Sequence, residues 1–426
     1  MMIIKNVDKG KWAELFKRPA LNVDGLYDRV RSILDRVREQ GDQALFEYGR
    51  LFDSVSLQSL MVSESEIAQA NNLVSAELKK AISIAYENIY KFHMAQLHST
   101  IRIETTPGVV CWQKAVPVSS VGLYIPGGTA PLFSTVLMLA IPARIAGCGQ
   151  IILCSPPDKK GKINPAILYA ASLAGVNTIF KIGGSQAIAA MAYGTQSVPK
   201  VNKIFGPGNS YVTAAKQLVS LCDVAIDMPA GPSEVLVIAD ESSNPVFVAA
   251  DLLSQAEHGA DSQVILATTS EQLINNVQKE VEIQIARLPR MEIARESLKN
   301  SRLALMPNME TIVEFSNWYA PEHLIIQIDN YTQIVEKICN AGSVFLGPYS
   351  PESAGDYASG TNHTLPTSGY AKSYSGVNVD SFMKKITFQE LSLQGLRTLG
   401  PVIQELAASE SMEAHKNAVT VRLKEK

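Results

Sequence analysis

The feature that most constrains the fold of this chain is an alternation of short apolar strands, turns rich in glycine and proline, and helices, beginning near residue 101. Four strand candidates each end in such a turn: Val121–Ile125, Ile151–Cys154, Thr178–Ile182 and Lys203–Phe205. A helix is predicted from Ser185 to Tyr193, after the third turn. This alternation predicts a parallel sheet with helices on both faces and ligand sites beyond the carboxyl ends of its strands.

A second series of strands and helices extends from residue 235 to residue 346. Its strands are predicted at Val235–Ala239, Val264–Ala267, Leu324–Gln327 and Ser343–Leu346, with a long helix at Glu271–Leu288. Asn244 and Pro245 are typical of a helix start, and Gly259 is expected to end that helix after His258. We predict a long loop at 350–367 and mainly helical structure at 26–98 and near the C-terminus.

The length of the chain predicts more than one domain. Its 426 residues exceed the size of a typical single domain. We expect an N-terminal helical segment at 1–25 and a first α/β domain formed by 26–102 together with 235–370. A second, nucleotide-binding α/β domain is expected at 103–234, followed by a C-terminal segment at 371–426.

Composition and charge argue against several classes of partner. The net charge is −3 and no basic tract is present, which disfavours nucleic acid and anionic membranes as partners. The most apolar segment, 131–143, is too short to span a bilayer and contains Pro142, so we expect a buried, kinked helix. The N-terminus lacks the apolar core of a signal peptide, and five cysteines without CxxC spacing fit a reducing cytoplasm.

Three polar residues share one face of an otherwise apolar helix. Gln255 and His258 are three residues apart, and Asp251 lies one turn earlier. Buried polar groups require partners, which a metal ion would supply. Ordinary hydrogen bonds would also satisfy them, because two candidate ligands alone do not define a zinc site.

The adjacent residues Glu322 and His323 follow Pro321 and precede a strand. In a regular strand they would point to opposite faces, so they can serve one site only from the irregular turn before it. Such a pair offers two bases with different reference pKa values, which suits a reaction that moves two protons. A turn with a capping glutamate remains the alternative.

The remaining candidates are histidines and glycine-rich turns. Glu410 and His415 would lie about 140° apart on one straight helix, so if both contact one ligand, either the helix breaks between them or the ligand is large. His93 and His98 fall in a charged helix and are expected to be solvated. The turns lack a GxGxxG fingerprint, although backbone amides at 183–186 could bind a phosphate, so the residues alone leave dinucleotide binding open.

Several long motifs resemble one family over nearly the whole chain. They are VSSVGLYIPGGTAPLFSTVLM, FKIGGSQAIAAMAYGT, KIFGPGNSYV, IDMPAGPSEVLVIAD with LLSQAEHG, APEHL, GSVFLG, SPESAGDYASGTNHTLPT and ASESMEAHKNAV. In this order they closely resemble the histidinol dehydrogenases, zinc enzymes of the last steps of histidine biosynthesis. That resemblance implies two incomplete Rossmann-like parallel-sheet domains, small helical terminal segments and an intertwined homodimer, with 371–426 as the dimerisation segment.

The resemblance also implies roles for individual residues. One Zn²⁺ per subunit would be bound by Gln255, His258, Asp356 and His415, the last from the partner subunit. Substrate would contact Ser233, Gln255, His258, His323, Asp356, Glu410 and His415. NAD would contact Tyr124, Gln186 and Asn209.

The reaction implied is a four-electron oxidation of L-histidinol through L-histidinal to L-histidine, with two NAD consumed in sequence. His323 would accept the hydroxyl proton, and Glu322 would activate water for attack on the aldehyde. Three other functions remain open. They are a relative that oxidises another polyol such as a sulfonated diol, a zinc hydrolase that uses Glu322, and a non-catalytic binding protein. Glu410 favours an amine-bearing substrate over a sulfonate.

Overall fold

A computed structural model of the chain describes residues 1–5, 8–19, 25–127, 131–229 and 231–424. In chain order its strands are β1 (Met2–Lys5), β2 (Ile101–Thr106), β3 (Val109–Pro117), β4 (Ser120–Tyr124), β5 (Gln150–Ser155), β6 (Thr178–Lys181), β7 (Lys203–Phe205), β8 (Ala225–Ile226), β9 (Glu234–Ala239), β10 (Gln263–Thr268), β11 (Arg302–Leu305), β12 (His323–Ile326), β13 (Ser343–Leu346) and β14 (Met383–Leu391).

The α-helices are numbered in the same way. They are α1 (Trp12–Leu15), α2 (Leu26–Gln40), α3 (Asp42–Phe52), α4 (Glu64–Leu73), α5 (Ala76–Met94), α6 (Phe133–Ala146), α7 (Pro165–Leu173), α8 (Gly184–Tyr193), α9 (Ser210–Ser220), α10 (Pro245–Ala256), α11 (Glu271–Ile285), α12 (Met291–Lys299), α13 (Met309–Tyr319), α14 (Thr332–Val335), α15 (Glu352–Tyr357), α16 (Leu393–Ser409) and α17 (Glu413–Lys424). Short 3₁₀ turns lie at Lys9–Lys11, Tyr370–Lys372 and Val379–Phe382.

Two parallel sheets confirm the predicted α/β class. One has five strands in the order β6-β5-β4-β7-β8, and the other has six in the order β1-β11-β10-β9-β12-β13. Apart from β1, each follows the order 3-2-1-4-5, which is the Rossmann order 3-2-1-4-5-6 without its sixth strand. Every residue of β9 and β10 is buried, as expected for apolar strands covered by helices on both faces.

The helices at the beginning of the chain pack against the five-stranded sheet. Val30 and Leu34 of α2 share a core cluster with Ala187 of α8, and Ile82 of α5 shares one with α6 residues such as Leu137. The sequence grouped 26–102 with 235–370, whereas these contacts associate the helices of that range with the other sheet. The outer domain boundaries remain a prediction.

A third sheet and two short elements depart from the sequence predictions. Strand β14 pairs antiparallel with β3, which pairs antiparallel with β2. The N-terminal segment begins with strand β1, and the C-terminal segment contains β14, so neither is wholly helical. The predicted loop at 350–367 contains helix α15. The hydrophobic alternation of β14 is weak because seven of its nine residues are exposed.

Several predictions about buried and exposed residues can be compared directly. Helix α6 is buried along 134–143 and contains Pro142, and within the described ranges no helix is long and apolar enough to cross a membrane. The five cysteines, all in described segments, are free. His98 is exposed as expected, but His93 is fully buried, with Nδ1 2.8 Å from the Ile89 carbonyl oxygen, because its helix face packs inward.

Candidate active site and nucleotide cleft

The acid–base and metal-ligand candidates converge at the amino edge of the six-stranded sheet. His323 is the first residue of β12, where it pairs with Val235 of β9. Helix α10 returns from the carboxyl edge, so Gln255 in its last turn and His258 just beyond its end reach the same place. Ligand sites were predicted at carboxyl ends; here the amino ends of β9 and β12, together with helices α10 and α15, supply the polar groups instead.

Three side chains form a group with the chemistry of a metal site. One donor atom each of His258, Glu352 and Asp356 lies within 4.8 Å of the others. Glu352 and Asp356 are one turn apart on α15, so both carboxylates project from one helix face. Sequence reasoning missed Glu352, because the segment was taken for a loop and its i, i+4 spacing with Asp356 was not used.

The amide of Gln255 lies between the carboxylate of Glu352 and the backbone N–H of Glu234. With its nitrogen towards Glu352, the amide donates to that carboxylate and its oxygen accepts from Glu234 N at 3.1 Å. With its oxygen towards Glu352, two acceptors face each other and need a cation between them. Carboxylate, imidazole and amide oxygen are ligands that zinc accepts, so these residues fit a zinc ion.

His323 is held at one ring nitrogen and free at the other. Its Nδ1 lies 3.3 Å from the Glu234 carbonyl oxygen and 3.6 Å from Glu322 Oε2. Its Nε2 is buried 3.6 Å from Asp356 Oδ1 and has no hydrogen-bond partner among the described residues. Buried polar atoms are normally paired, so an unpaired nitrogen aimed at the ligand cluster is a candidate contact for substrate.

Glu322 lies directly before β12 and reaches the same peptide as His323. Its Oε2 accepts a hydrogen bond of 2.9 Å from Glu234 N–H. Two adjacent residues thus serve one site, as they can only from the end of a strand.

Burial and like charges shift the pKa values of this cluster. Burial raises the pKa of Glu322 to about 7 and that of Glu352 to about 8. Burial alone would lower the pKa of His323, but the carboxylates of Glu352, Glu322 and Asp356 outweigh it and raise that pKa to about 10. Several buried carboxylates around one imidazole favour a positive charge, whether a proton or a metal ion.

Two further polar residues support the cluster. His363 Nδ1 lies 2.8 Å from the Asp356 carbonyl oxygen, and its Nε2 lies 3.1 Å from Thr135 Oγ1 in the first turn of α6. With both ring nitrogens engaged, His363 connects α15 to α6. Asp251 accepts a hydrogen bond from Gln327, and burial raises its pKa to about 7.

Glu410 and His415 lie apart from the cluster in this chain. Helix α16 ends at Ser409, α17 begins at Glu413, and Ser411 between them has a φ of 59°. The helix therefore breaks between the two residues, which is one of the two ways in which both could contact one ligand. Both side chains are exposed, and neither belongs to the metal-type group found among the described residues. Ser233, partly buried, directly precedes Glu234.

The candidate nucleotide residues line one cleft beyond the carboxyl ends of β4 and β7. The cleft has a volume of about 1180 Å³, and Tyr124, Gln186 and Asn209 all line it. Tyr124 ends β4, and its hydroxyl accepts a hydrogen bond of 3.0 Å from Gly184 N–H at the start of α8. Burial raises the pKa of Tyr124 to about 12, so the hydroxyl keeps its proton. One of the amides at 183–186 predicted to bind phosphate is thus already bonded to tyrosine.

Gly206 allows the two central strands of this sheet to approach closely after β7. Its φ is 123°, and an added Cβ would overlap the carbonyl oxygen of Tyr124. Only glycine combines this backbone conformation with that approach. The cleft opens between β4 and β7, where the order of the strands in the sheet reverses. This is the usual ligand position in such sheets.

Comparison with known proteins gives a consistent result over the full length. A family model described as "Histidinol dehydrogenase" matches residues 16–423. A protein named histidinol dehydrogenase from Bacteroides thetaiotaomicron is 65% identical over 423 residues, covering 99% of each chain. One of the same name from Escherichia coli (strain K12) is 56% identical over 413 residues, covering 96% of this chain and 94% of that one.

A solved structure agrees with these sequence matches. The crystal structure of histidinol dehydrogenase from Elizabethkingia anophelis has a TM-score of 0.98 and 55% identity to this chain. The match covers 100% of this chain and 98% of that one, so both parallel sheets and the C-terminal helical hairpin formed by α16 and α17 are included.

Proposed function

The chain belongs to the histidinol dehydrogenase family of oxidoreductases in histidine biosynthesis, and we propose that it oxidises L-histidinol through L-histidinal to L-histidine with two NAD. One observation carries this proposal. An acid–base pair beside a metal-type cluster is connected to a nucleotide-sized cleft through the start of helix α6. Pro131, two residues before α6, lines the cleft, and Thr135 in the first turn of α6 contacts His363, which contacts Asp356.

We propose one zinc ion per subunit, bound by Gln255, His258 and Asp356 together with His415 of the partner subunit. The proximity of His258 and Asp356 and the position of the Gln255 amide support this set. When bound, zinc supplies positive charge that orients the imidazole and amine of the substrate. Without the metal, Glu352 lies close enough to accept a hydrogen bond from the Gln255 amide nitrogen; with zinc bound, the amide oxygen would face the cluster instead.

His323 performs the first proton transfer of the proposed reaction. Zinc bound beside Asp356 would offset the carboxylate charge that otherwise keeps the His323 ring protonated. Nε2 would then accept the hydroxyl proton of L-histidinol while the carbon-bound hydride passes to NAD, which leaves the aldehyde and NADH. The bond between Nδ1 and the Glu234 carbonyl fixes the ring so that Nε2 faces the cluster. Ser233 and the partner's Glu410 complete the substrate contacts, with the Glu410 carboxylate matched to the substrate ammonium.

Glu322 performs the second proton transfer. It accepts a proton from water as the water oxygen attacks the aldehyde carbon, which gives the anion of the hydrate. This anion then loses a hydride to a second NAD and becomes the carboxylic acid, which releases its proton to leave the carboxylate of L-histidine. A pKa raised to about 7 by burial lets the carboxyl group exchange a proton near neutral pH.

The proposed assembly is a cytoplasmic homodimer with a shared active site. The exposed hairpin α16–α17 carries large apolar side chains, with Leu406 62% and Met412 51% exposed. Apolar surface of this kind is typical of a protein interface. A partner hairpin would bring Glu410 and His415 to the cluster, and the free cysteines support a reducing compartment.

The direct test is the conversion of L-histidinol by purified protein, with L-histidine measured as the product. We expect histidine to form only when NAD is added. NAD at about 100 times its Kd should also raise the free energy of unfolding by about 2.7 kcal/mol, as binding to the folded state requires. Unchanged unfolding and no histidine would favour the zinc hydrolase.

A further inference from the structure

The backbone N–H and carbonyl groups of Glu234 contact three of the residues to which the proposed function assigns roles. Glu234 N–H lies 2.9 Å from Glu322 Oε2 and, in the metal-free orientation in which the Gln255 nitrogen donates to Glu352, 3.1 Å from the Gln255 amide oxygen. The carbonyl of Glu234 lies 3.3 Å from His323 Nδ1. The position of this one residue therefore sets the catalytic pair and a metal ligand together.

The side chain of Glu234 is fixed by an arginine from the N-terminal segment. Glu234 is 2% exposed, and Arg18 binds its carboxylate with both prongs, at 2.5 Å from Nε and 2.9 Å from a terminal nitrogen. Arg18 also donates to the Tyr319 carbonyl at 2.6 Å, and its guanidinium lies 3.8 Å from the Tyr319 ring centre. The Tyr319 hydroxyl is 3.3 Å from Glu234 Oε2. A two-pronged, stacked guanidinium holds a carboxylate in one orientation.

We propose that Arg18 is a positioning residue for the active site, acting through Glu234 on Glu322, His323 and Gln255. On the edge of β9 that faces β12, hydrogen bonds between the strands do not fix the position of Glu234. Pairing between β9 and β12 begins only at Val235 and His323, so on that edge the Glu234 N–H and carbonyl face side chains. On the other edge Glu234 is in register with Gln263 of β10, and the ion pair adds a second constraint to that pairing. This inference rests on the proposed function for the roles of the three residues.

The test compares Arg18→Met with Arg302→Met. Arg302 is a matched control because it tethers the same N-terminal segment, with Nε donating to the Leu15 carbonyl at 3.1 Å, and hydrogen-bonds none of the site residues. The zinc affinity of metal-free protein is measured by competition with a chromophoric chelator. Urea unfolding gives the folded fraction of each variant, and kcat and KM are then expressed per folded molecule.

Arg18→Met should lower kcat and zinc affinity by about 10- to 100-fold, which is the usual loss when a group that orients a metal ligand is removed. The KM for NAD should stay within about 2-fold of the wild-type value. Arg18→Lys keeps the charge without the fork and should recover part of the loss. Arg302→Met should leave kcat and zinc affinity within about 2-fold of wild type.

Unchanged kcat and zinc affinity in Arg18→Met would overturn the proposal, and so would equal losses in Arg302→Met. If Arg18→Met does not fold, Glu234→Gln, which keeps the side-chain shape and removes the charge, must show the same pattern. Failure of the wild-type protein to oxidise L-histidinol would overturn the proposed function instead, and the zinc competition would still test the positioning role.

Discussion

At the scale of single residues, the neighbouring side chains of Glu322 and His323 differ in their hydrogen-bond partners. His323 is bonded at Nδ1 and has no partner at Nε2 within the described ranges, whereas Glu322 is bonded through one oxygen to Glu234 N–H. The free ring nitrogen suits the alcohol proton. The buried carboxyl group, with its raised pKa, suits activation of water.

Replacing Glu322 by glutamine should slow the two half-reactions unequally. A lost general base typically costs about 10²–10⁴-fold, and this loss should fall on oxidation of L-histidinal, because only that half needs activated water. The measurement compares single-turnover NADH formation from L-histidinol and from L-histidinal at equal zinc content. Equal losses in the two halves would contradict this division of roles.

At the scale of elements, two helix ends and two strand ends form the site. Helix α10 ends where β9 and β12 begin, and α15 places two carboxylates opposite His258. The proposed nucleotide cleft instead lies beyond the carboxyl ends of β4 and β7, where Gly206 packs against the Tyr124 backbone. One chain thus uses opposite edges of two similar sheets.

Replacing Gly206 by alanine should destabilise the protein and weaken NAD binding. The positive φ and the overlap with the Tyr124 carbonyl oxygen should cost on the order of 1–3 kcal/mol in the free energy of unfolding. Gly10→Ala is the control, because there an added Cβ meets only an aspartate oxygen at 3.7 Å. Urea unfolding and NAD titration measure both effects, and wild-type values for Gly206→Ala would contradict the role given to this turn.

Much of the fold could be predicted because apolar periodicity reports burial. The buried strands β5, β9 and β10 were located to within one residue at each end. Strands β1 and β14 were missed because mostly exposed strands carry little hydrophobic alternation. Helix α15 is short and rich in small residues, so Glu352 was hidden, and the Arg18–Glu234 pair joins residues too far apart in the chain for any local pattern.

At the scale of the whole molecule, the active site is proposed to need two chains. His258 lies in the cluster, whereas His415 is exposed on the hairpin of the same chain. If the partner's His415 completes the site, inactive His258→Asn and His415→Asn proteins should regain activity when mixed. A heterodimer then has one site with both substitutions and one intact site.

The expected recovery is limited by the statistics of exchange. Random pairing makes about half of the dimers mixed, each with one working site, so activity should reach about a quarter of wild type. Subunit exchange is verified with differently tagged chains. No recovery despite proven exchange would argue against a shared site.

The central claim is most directly tested by counting NADH formed per L-histidinol with excess NAD, with and without a metal chelator. The account predicts two NADH per substrate, loss of activity on chelation and recovery with zinc. One NADH with released aldehyde would contradict the role of Glu322. No NADH from zinc-replete protein would contradict the proposed oxidation itself.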